Sequence, residues 1–258
     1  MSISIEAVGK SGKFKLFKEN GEFIMVSQSK IEEVDSDGNM LNSWNLAGSG
    51  TYSDPTPATP NEYLVFKEFV ADQNGNGNAK FQLYIIFNTS SEISYINKDP
   101  YTLQDVTIEP GALKFSIKLS NWSFHEDGDT IRYSITMDDT SQSTIEREEN
   151  ESDSTVVMSL PGGKMVSPTD ATIVNQDDSQ ETVKIRVDQE DSQDNTINFV
   201  FDVSTKPKEL IYDPEVTLLD ETESKTNDTS TSMLPYYITI GVVIVILLLI
   251  YLMYRYAK

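Results

Sequence analysis

Apolar and polar residues alternate with a period of two along several stretches of the chain. The clearest run, 113–119, places Leu, Phe, Ile and Leu at every second position, with Lys or Ser between them. Similar runs cover 131–137, 183–187 and 197–203. Because successive side chains of a β-strand point to opposite faces of a sheet, this period predicts strands with one buried face.

Two further segments, 62–70 and 81–88, are more continuously apolar and flank the polar loop ADQNGNGNAK. Their density predicts central strands with both faces covered. Shorter strand candidates are KFKLF, FIMVS, EISYI, DVTIE, TVVMSL and ATIVN. Since no window before residue 236 has a convincing helical period, we predict an all-β protein, built as an antiparallel β-sandwich.

The connections are less regular than the strands. HEDGD (125–129) lies between two alternating runs and contains Asp-Gly turn chemistry, so those runs are predicted to form an antiparallel hairpin. The sandwich is expected to span residues 1–212, here called the body. A Pro-, Ser- and Thr-rich segment at 49–62 either divides the body into two β units or forms a long loop within one sandwich. Residues 213–235 have the composition of a solvated stalk.

The C-terminal segment 236–254 differs from everything before it, because its 19 residues carry no charge. As a helix this segment would be about 28 Å long, close to the hydrocarbon thickness of a bilayer. Tyrosines stand at both of its ends, where interfacial aromatic residues are common. We therefore predict one transmembrane helix over 236–254, followed by a short tail at 255–258.

The residues around this span predict its orientation. Arg255 and Lys258 follow it, whereas the stalk before it is acidic. The positive-inside rule then places the tail in the cytoplasm and the body outside the plasma membrane, either anchored there or shed into an extracellular or skeletal matrix. Four Asn-x-Ser/Thr triplets agree with an extracellular, glycosylated body. They begin at Asn88, Asn121, Asn150 and Asn227.

The beginning of the sequence, MSISIEAVGK, lacks the charged and apolar regions of a signal peptide. Two interpretations remain. Either the chain is a type I membrane protein whose signal peptide is not part of this sequence, or it is a tail-anchored protein with a cytosolic body. The flanking charges favour the first interpretation.

Composition narrows the possible functions. The chain has 41 Asp and Glu against 20 Lys and Arg, a formal net charge of −21. Such a surface disfavours nucleic acid, whose phosphates need positive charge, and suits cations, basic proteins or mineral surfaces. With no Cys and one His, the chain cannot form disulfides, thiolate metal sites or multi-His zinc sites. His125 lies in HEDGD and is interpreted as a turn residue.

Catalysis has little support in the sequence. No G-x-S-x-G motif accompanies His125, and no Gly-rich phosphate loop is present. A pair of glycosidase-type carboxylates cannot be singled out among 41 acids. We therefore predict a protein that is not an enzyme and that has no catalytic residues.

Two loops have the spacing of a calcium-binding segment. In DQNGNG, oxygen-bearing side chains stand at positions 1, 3 and 5 and Gly at position 6, as in the first half of a calcium loop. The twelfth position is Leu83 rather than Glu, so an Asn/Gly turn without an ion explains the motif equally. DSDGN is a poorer match. The only cofactor that the sequence suggests is Ca²⁺, and its candidate ligands are Asp72, Asn74, Asn76, Asp35 and Asp37.

Three acidic stretches recur between strand candidates. They are EREENESDS (146–154), NQDDSQE (175–181) and DQEDSQD (188–194). They are interpreted either as solvated loops or as loops that bind several Ca²⁺ ions weakly, at roughly 10⁻⁴ to 10⁻³ M.

The segment GALKFSIKLSNWSF (111–124), with YLVFKEFV (63–70) upstream and one C-terminal span, resembles the acidic skeletal organic matrix proteins of stony corals. This resemblance implies an extracellular protein associated with calcium carbonate deposition, with mineral and other matrix proteins as partners. It brings no catalytic residues.

Two functions therefore remain open. The first is a membrane-anchored matrix or biomineralisation protein that binds Ca²⁺ or mineral weakly through acidic loops. The second is an adhesion or receptor ectodomain that binds another protein through a face of the sandwich.

Overall fold

The computed structural model describes residues 3–47, 52–54, 56–57, 64–72, 78–96, 106–125, 129–150, 154–189, 195–203 and 205–218. Residues Met1–Leu219 form one compact unit, and these described segments all belong to it. The predicted transmembrane helix at 236–254 lies outside the described residues. Within the described segments, no helix is long and apolar enough to span a bilayer.

The described residues form 19 strands. The first ten are β1 (Ile3–Val8), β2 (Lys13–Lys18), β3 (Phe23–Val34), β4 (Met40–Asn45), β5 (Thr56–Pro57), β6 (Leu64–Asp72), β7 (Lys80–Asn88), β8 (Ser94–Ile96), β9 (Val106–Ile108) and β10 (Ala112–Ser120). The others are β11 (Thr130–Asp139), β12 (Glu146–Asn150), β13 (Thr155–Leu160), β14 (Gly163–Pro168), β15 (Asp170–Val174), β16 (Gln180–Gln189), β17 (Thr196–Asp202), β18 (Glu209–Tyr212) and β19 (Glu215–Leu218).

The prediction of an all-β, antiparallel protein is confirmed for this part of the chain. The strands pair into two sheets, apart from a small separate pair formed by β8 and β9. One sheet contains β1, β2, β3, β4, β11, β17 and the second half of β16. The other begins with β5, β6, β7 and β10 and then divides into two branches, β18–β15–β16 and β19–β14–β13–β12.

The buried faces of the two sheets meet in one hydrophobic core. Phe14 of β2 lies 5.4 Å from Phe115 of β10, measured between ring centroids, and Phe199 of β17 lies 5.0 Å from Tyr212 of β18. All four rings are almost completely buried. A fully buried side chain of this size contributes roughly 1.5–3 kcal/mol, so these ring contacts are a main source of cohesion between the sheets.

The predicted hairpin between 113–119 and 131–137 is wrong. β10 pairs with β7, β18 and β19, whereas β11 pairs with β3 and β17, so the two strands belong to different sheets. Both strands bury alternate side chains in the same core, but they do so from opposite sides. The connection that contains HEDGD therefore joins the two sheets instead of closing a hairpin.

β16 is the second place where the chain passes between sheets. Residues 180–184 pair with β15 in one sheet, and residues 185–189 pair with β17 in the other. Among the described residues, the second half of β16 is thus an edge of the first sheet and β12 is an edge of the second. The two edges border the same opening.

A half-buried acid in β19, Glu215, makes the stability of the fold depend on pH. Partial burial raises the pKa of Glu215, although the nearby Lys114 ammonium acts in the opposite direction. A carboxyl whose pKa is higher in the folded state stabilises the fold below its unfolded pKa, and this contribution is lost as pH rises through the folded pKa.

Replacing Glu215 by Gln should therefore raise the free energy of unfolding at about pH 7, because the amide carries no charge that burial disfavours. The gain should disappear below about pH 4, where both states hold the proton. Urea unfolding at the two pH values measures this difference. Glu148→Gln, at an exposed position, is the control and should show no such gain. A Glu215→Gln protein that is less stable than the wild type at neutral pH would contradict the expectation.

Candidate binding groove

An open groove lies between the edges of the two sheets. One wall is β12, and the other is formed by residues 185–189 of β16. Within the described segments, each wall has a strand partner on one side only, β13 for β12 and β17 for this half of β16. The groove encloses about 430 Å³, a volume within the usual range of small-ligand sites.

The sequence of β12 explains why the edge stays open. Arg147 and Glu149 stand opposite Met158 and Val156 of β13, so their side chains lie on the face that points toward the core. The two form an ion pair with each other. Charged side chains at core-facing positions of an edge strand cannot pack as apolar residues would, and they keep the edge hydrated.

The wall formed by β16 has an apolar floor and a charged rim. Ile185 and Val187 are buried, whereas Arg186 and Asp188, which alternate with them along the strand, are exposed. The Nε atom of Arg186 lies 3.8 Å from Oδ2 of Asp202 on β17. This ion pair is well exposed, so Arg186 can exchange Asp202 for a ligand at small cost.

Hydrogen bonds close both ends of the groove. At one end, the backbone N and Oγ1 of Thr169 donate to the carbonyl of Ser154, at 2.9 and 3.0 Å, and Ile185 N donates to Thr169 O at 2.8 Å. At the other end, Nε2 of Gln189 donates to Ile145 O at 3.2 Å. The groove is therefore a bounded site about five residues long.

The lining of the groove combines both signs of charge with neutral hydrogen-bonding groups. Two guanidinium groups, two carboxylates and several hydroxyls surround the apolar floor. The lining residues are Arg147, Glu149, Asn150, Ser154, Thr155, Val156, Thr169, Ile185, Arg186, Val187 and Asp188. This arrangement can bind a polar ligand that carries donors and acceptors. The guanidinium groups oppose a bare cation in the same space.

The candidate calcium ligands do not form a cluster in the described residues. No group of three or more His, Asp or Glu side chains there could hold a metal ion. Oδ1 of Asp35 accepts hydrogen bonds from the backbone N of Asp37 (2.9 Å) and of Asn39 (2.7 Å), and Asn39 Nδ2 donates to Oδ2 at 2.9 Å. These bonds, the side-chain bond from Asn39 first, lower the pKa of Asp35.

The 35–39 loop is therefore a hydrogen-bonded turn, which is the ion-free alternative for this motif. Asp37 is exposed in it. In the DQNGNG loop, Asn74 and Asn76 lie outside the described residues. For Asp72 the structure describes the backbone alone, paired with Lys80.

The predicted glycosylation sites lie in very different environments. Asn88 is fully buried, and its Nδ2 donates to Glu92 O and Ile108 O, both at 2.9 Å. Both N–H groups of the Asn88 amide therefore have acceptors within the fold. Asn121 is exposed and has a φ of 55°. Asn150 is half-buried at the end of β12, and Asn227 lies outside the described residues.

The three acidic stretches are not equivalent. Residues 146–150 of the first form β12, not a loop. In the second, Asp178 Oδ1 lies 2.6 Å from Lys208 Nζ, and Asp177 accepts hydrogen bonds from Ser179, so both acids already have partners. The third begins within β16, and its residues 190–194 lie outside the described part of the chain.

A buried carboxylate that the sequence analysis did not identify holds the connection between β10 and β11. Glu33 of β3 is fully buried. It accepts hydrogen bonds from Trp122 Nε1 at 3.1 Å and from His125 N at 2.6 Å, and His125 Nδ1 lies 3.0 Å from Oε2. His125 is thus more than a turn residue, because it attaches this connection to the first sheet.

Comparison with known proteins gives little further guidance. No protein-family model matches the chain, and no curated protein matches it in sequence. Among solved structures, it is similar to an alpha-N-acetylgalactosaminidase (NagBb) of Bifidobacterium bifidum in complex with GalNAc, with a TM-score of 0.44 and 10% sequence identity. The match covers 85% of this chain and 35% of that enzyme. The likeness is too distant to bear on fold or activity.

Proposed function

We propose that the protein is a non-enzymatic binding module of the cell surface that holds a segment of another protein in the groove between β12 and β16. In this proposal the body is a β-sandwich ectodomain, and residues 236–254 anchor it in the plasma membrane. The observation that carries the proposal is the groove itself, which is bounded at both ends and bordered by two sheet edges. Exposed sheet edges recur as sites of peptide recognition.

The chemistry of the groove favours a polypeptide ligand. The peptide backbone supplies donors and acceptors in regular alternation, which suits a lining of hydroxyls, an amide and both signs of charge. Val187 and Ile185 at the floor are already buried by the fold, so the polar groups around them supply most of the contacts that a ligand can make. Arg186 stands at the rim, and arginine is among the residues most often important for binding energy at interfaces.

The proposal is tested by selecting peptides from a displayed random library against the full chain in detergent micelles. Arg186→Glu is expected to lower the affinity of selected peptides at least about tenfold, as for an important interface residue. Lys184→Glu is the matched control, because this substitution makes the same change in charge on the same strand. Lys184 is exposed but does not line the groove. Its affinity should stay within about twofold.

Titration calorimetry with the selected peptides measures both variants. Equal losses of peptide affinity in the two variants would show that the peptides respond to the overall charge of the protein. The groove would then not be the peptide-binding site. A failure to select any peptide would also count against the proposal.

The extracellular orientation is part of the same proposal, with Asn121 as the glycan acceptor best placed by its exposure. A loss of mass on enzymatic removal of N-glycans, absent from an Asn121→Gln protein, would support it. An unmodified chain in a cell that glycosylates its surface proteins would contradict it.

A second candidate is the acidic matrix protein that gathers Ca²⁺ or calcium carbonate mineral together with other matrix proteins. The net charge of −21 favours it, as do the exposed carboxylates of Glu146 and Glu148 on the outer face of β12. We expect calorimetry of the full chain to show weak Ca²⁺ binding, at roughly 10⁻⁴ to 10⁻³ M. A titration with NaCl at matched ionic strength is the control. No binding heat at about 10 mM Ca²⁺ would remove this candidate.

A further inference from the structure

Residues 146–149 of β12 have no strand partner on their outer side in the described part of the chain. β12 pairs with β13 in a register that runs from Glu146 opposite Ser159 to Asn150 opposite Thr155. Four residues in extended conformation span about 13 Å. A free edge of this length presents backbone N–H and C=O groups that another extended segment can pair with.

The net charge of −21 on each chain opposes pairing of β12 with a second copy of itself. If two copies paired antiparallel about their centres, Glu148 would stand directly opposite Glu148, while Arg147 of each copy would stand opposite Glu149 of the other. The like pair destabilises such a dimer and the two opposite pairs stabilise it, so the strand itself does not select a second copy. A parallel pair would align every glutamate with its own equivalent.

The same charges favour a basic partner. Glu146 and Glu148 lie on one face of β12 and are exposed. A pairing strand with Lys or Arg at every second position would place its cations opposite these carboxylates. The residues between them would face Arg147, Glu149 and the groove. Such complementarity selects the partner and speeds its encounter.

We propose that β12 binds an extended polypeptide segment with basic residues at alternate positions, which adds to the sheet by main-chain hydrogen bonding. This inference rests on the proposed function and names the class of partner that the groove receives. Main-chain pairing supplies affinity in this mode of recognition, and the alternate side chains supply specificity.

The test uses the full chain in detergent micelles and two peptides of about seven residues, one alternating Lys and Thr, the other alternating Glu and Thr. The Lys peptide should bind at least about tenfold more tightly, and its affinity should fall as salt is added. Glu148→Lys should remove this preference. Glu181→Lys is the control, since it makes the same charge change at an exposed position of β16 that pairs with β15.

A third peptide separates strand addition from simple charge attraction. The Lys peptide N-methylated at alternate residues keeps its charge but cannot donate its full set of backbone hydrogen bonds. It should bind at least about tenfold more weakly than the unmodified peptide. Equal affinities of the unmodified and the N-methylated Lys peptides would overturn the inference. It would also be overturned if the full chain formed a dimer whose stability changed in the Glu148→Lys variant. If library peptides bind in an Arg186-dependent manner while the Lys peptide does not bind, the proposed function stands and this inference fails.

Discussion

Replacing Glu33 by Ala is expected to lower the free energy of unfolding by about 3 kcal/mol. The carboxylate is fully buried and accepts hydrogen bonds from Trp122 Nε1 and His125 N. Alanine would leave both donors without their acceptor and would also leave a cavity. An unsatisfied buried donor such as Trp122 Nε1 costs roughly 1–3 kcal/mol, and the loss at the part-buried His125 N adds to it. Urea unfolding at neutral pH measures the change.

A double-mutant cycle with Trp122→Phe tests the physical reason for this loss. Phenylalanine keeps an aromatic ring but removes the Nε1 donor, so the single change should cost roughly 1 kcal/mol. If the Trp122–Glu33 bond is part of the effect, the two substitutions together should cost less than the sum of the two. Glu92→Ala, at an exposed acid, should change stability by less than about 0.5 kcal/mol. If Glu33→Ala lowered the free energy of unfolding by less than about 0.5 kcal/mol, the connection between β10 and β11 would be held by other contacts.

The Glu33 contacts also show where sequence reasoning ends. The alternation at 113–119 predicts a strand and its buried face, and both are present in β10. It does not predict the partner strand, because Leu83 and Tyr212, which stand opposite Ile117 on either side, come from distant parts of the chain. An Asp-Gly turn between two alternating runs suggested a local hairpin. Contacts 89 and 92 positions apart in sequence attach the connection to β3 instead.

The groove illustrates the same limit. EREEN has a composition that favours a solvated loop, since Glu and Asn are depleted in strands. It is a strand because Thr155–Leu160 pairs along its whole length and supplies the buried face that β12 lacks. β12 and residues 185–189 border one groove because β16 passes from one sheet to the other. No local sequence pattern predicts this change of sheet. The 35–39 loop depends on local contacts only, because Asp35 accepts its hydrogen bonds from residues two and four positions further along the chain.

Replacing Gly163 by Ala is expected to cost about 1–3 kcal/mol, the range of an overpacked core position. Gly163 of β14 stands opposite Leu218 of β19 on one side and Leu160 of β13 on the other. A Cβ atom there would overlap the carbonyl oxygen of Thr217 and Cδ1 of Ile24, and it would lie 3.0 Å from Cα of Leu218. Since two of these atoms belong to the backbone, β19 must move away and weaken the ladder that joins it to β14.

The neighbouring glycine provides a matched control. A Cβ on Gly162 would meet its nearest atoms at 3.7 Å, an ordinary contact, so Gly162→Ala should change the free energy of unfolding by less than about 0.5 kcal/mol. The two substitutions should also differ in their effect on the groove, because β14 pairs with β13, and β13 pairs with β12. Gly163→Ala should therefore also weaken Arg186-dependent peptide binding under conditions where the protein remains folded, and Gly162→Ala should not. Equal urea midpoints for the two variants would show that the close approach of β14 and β19 is not needed for stability.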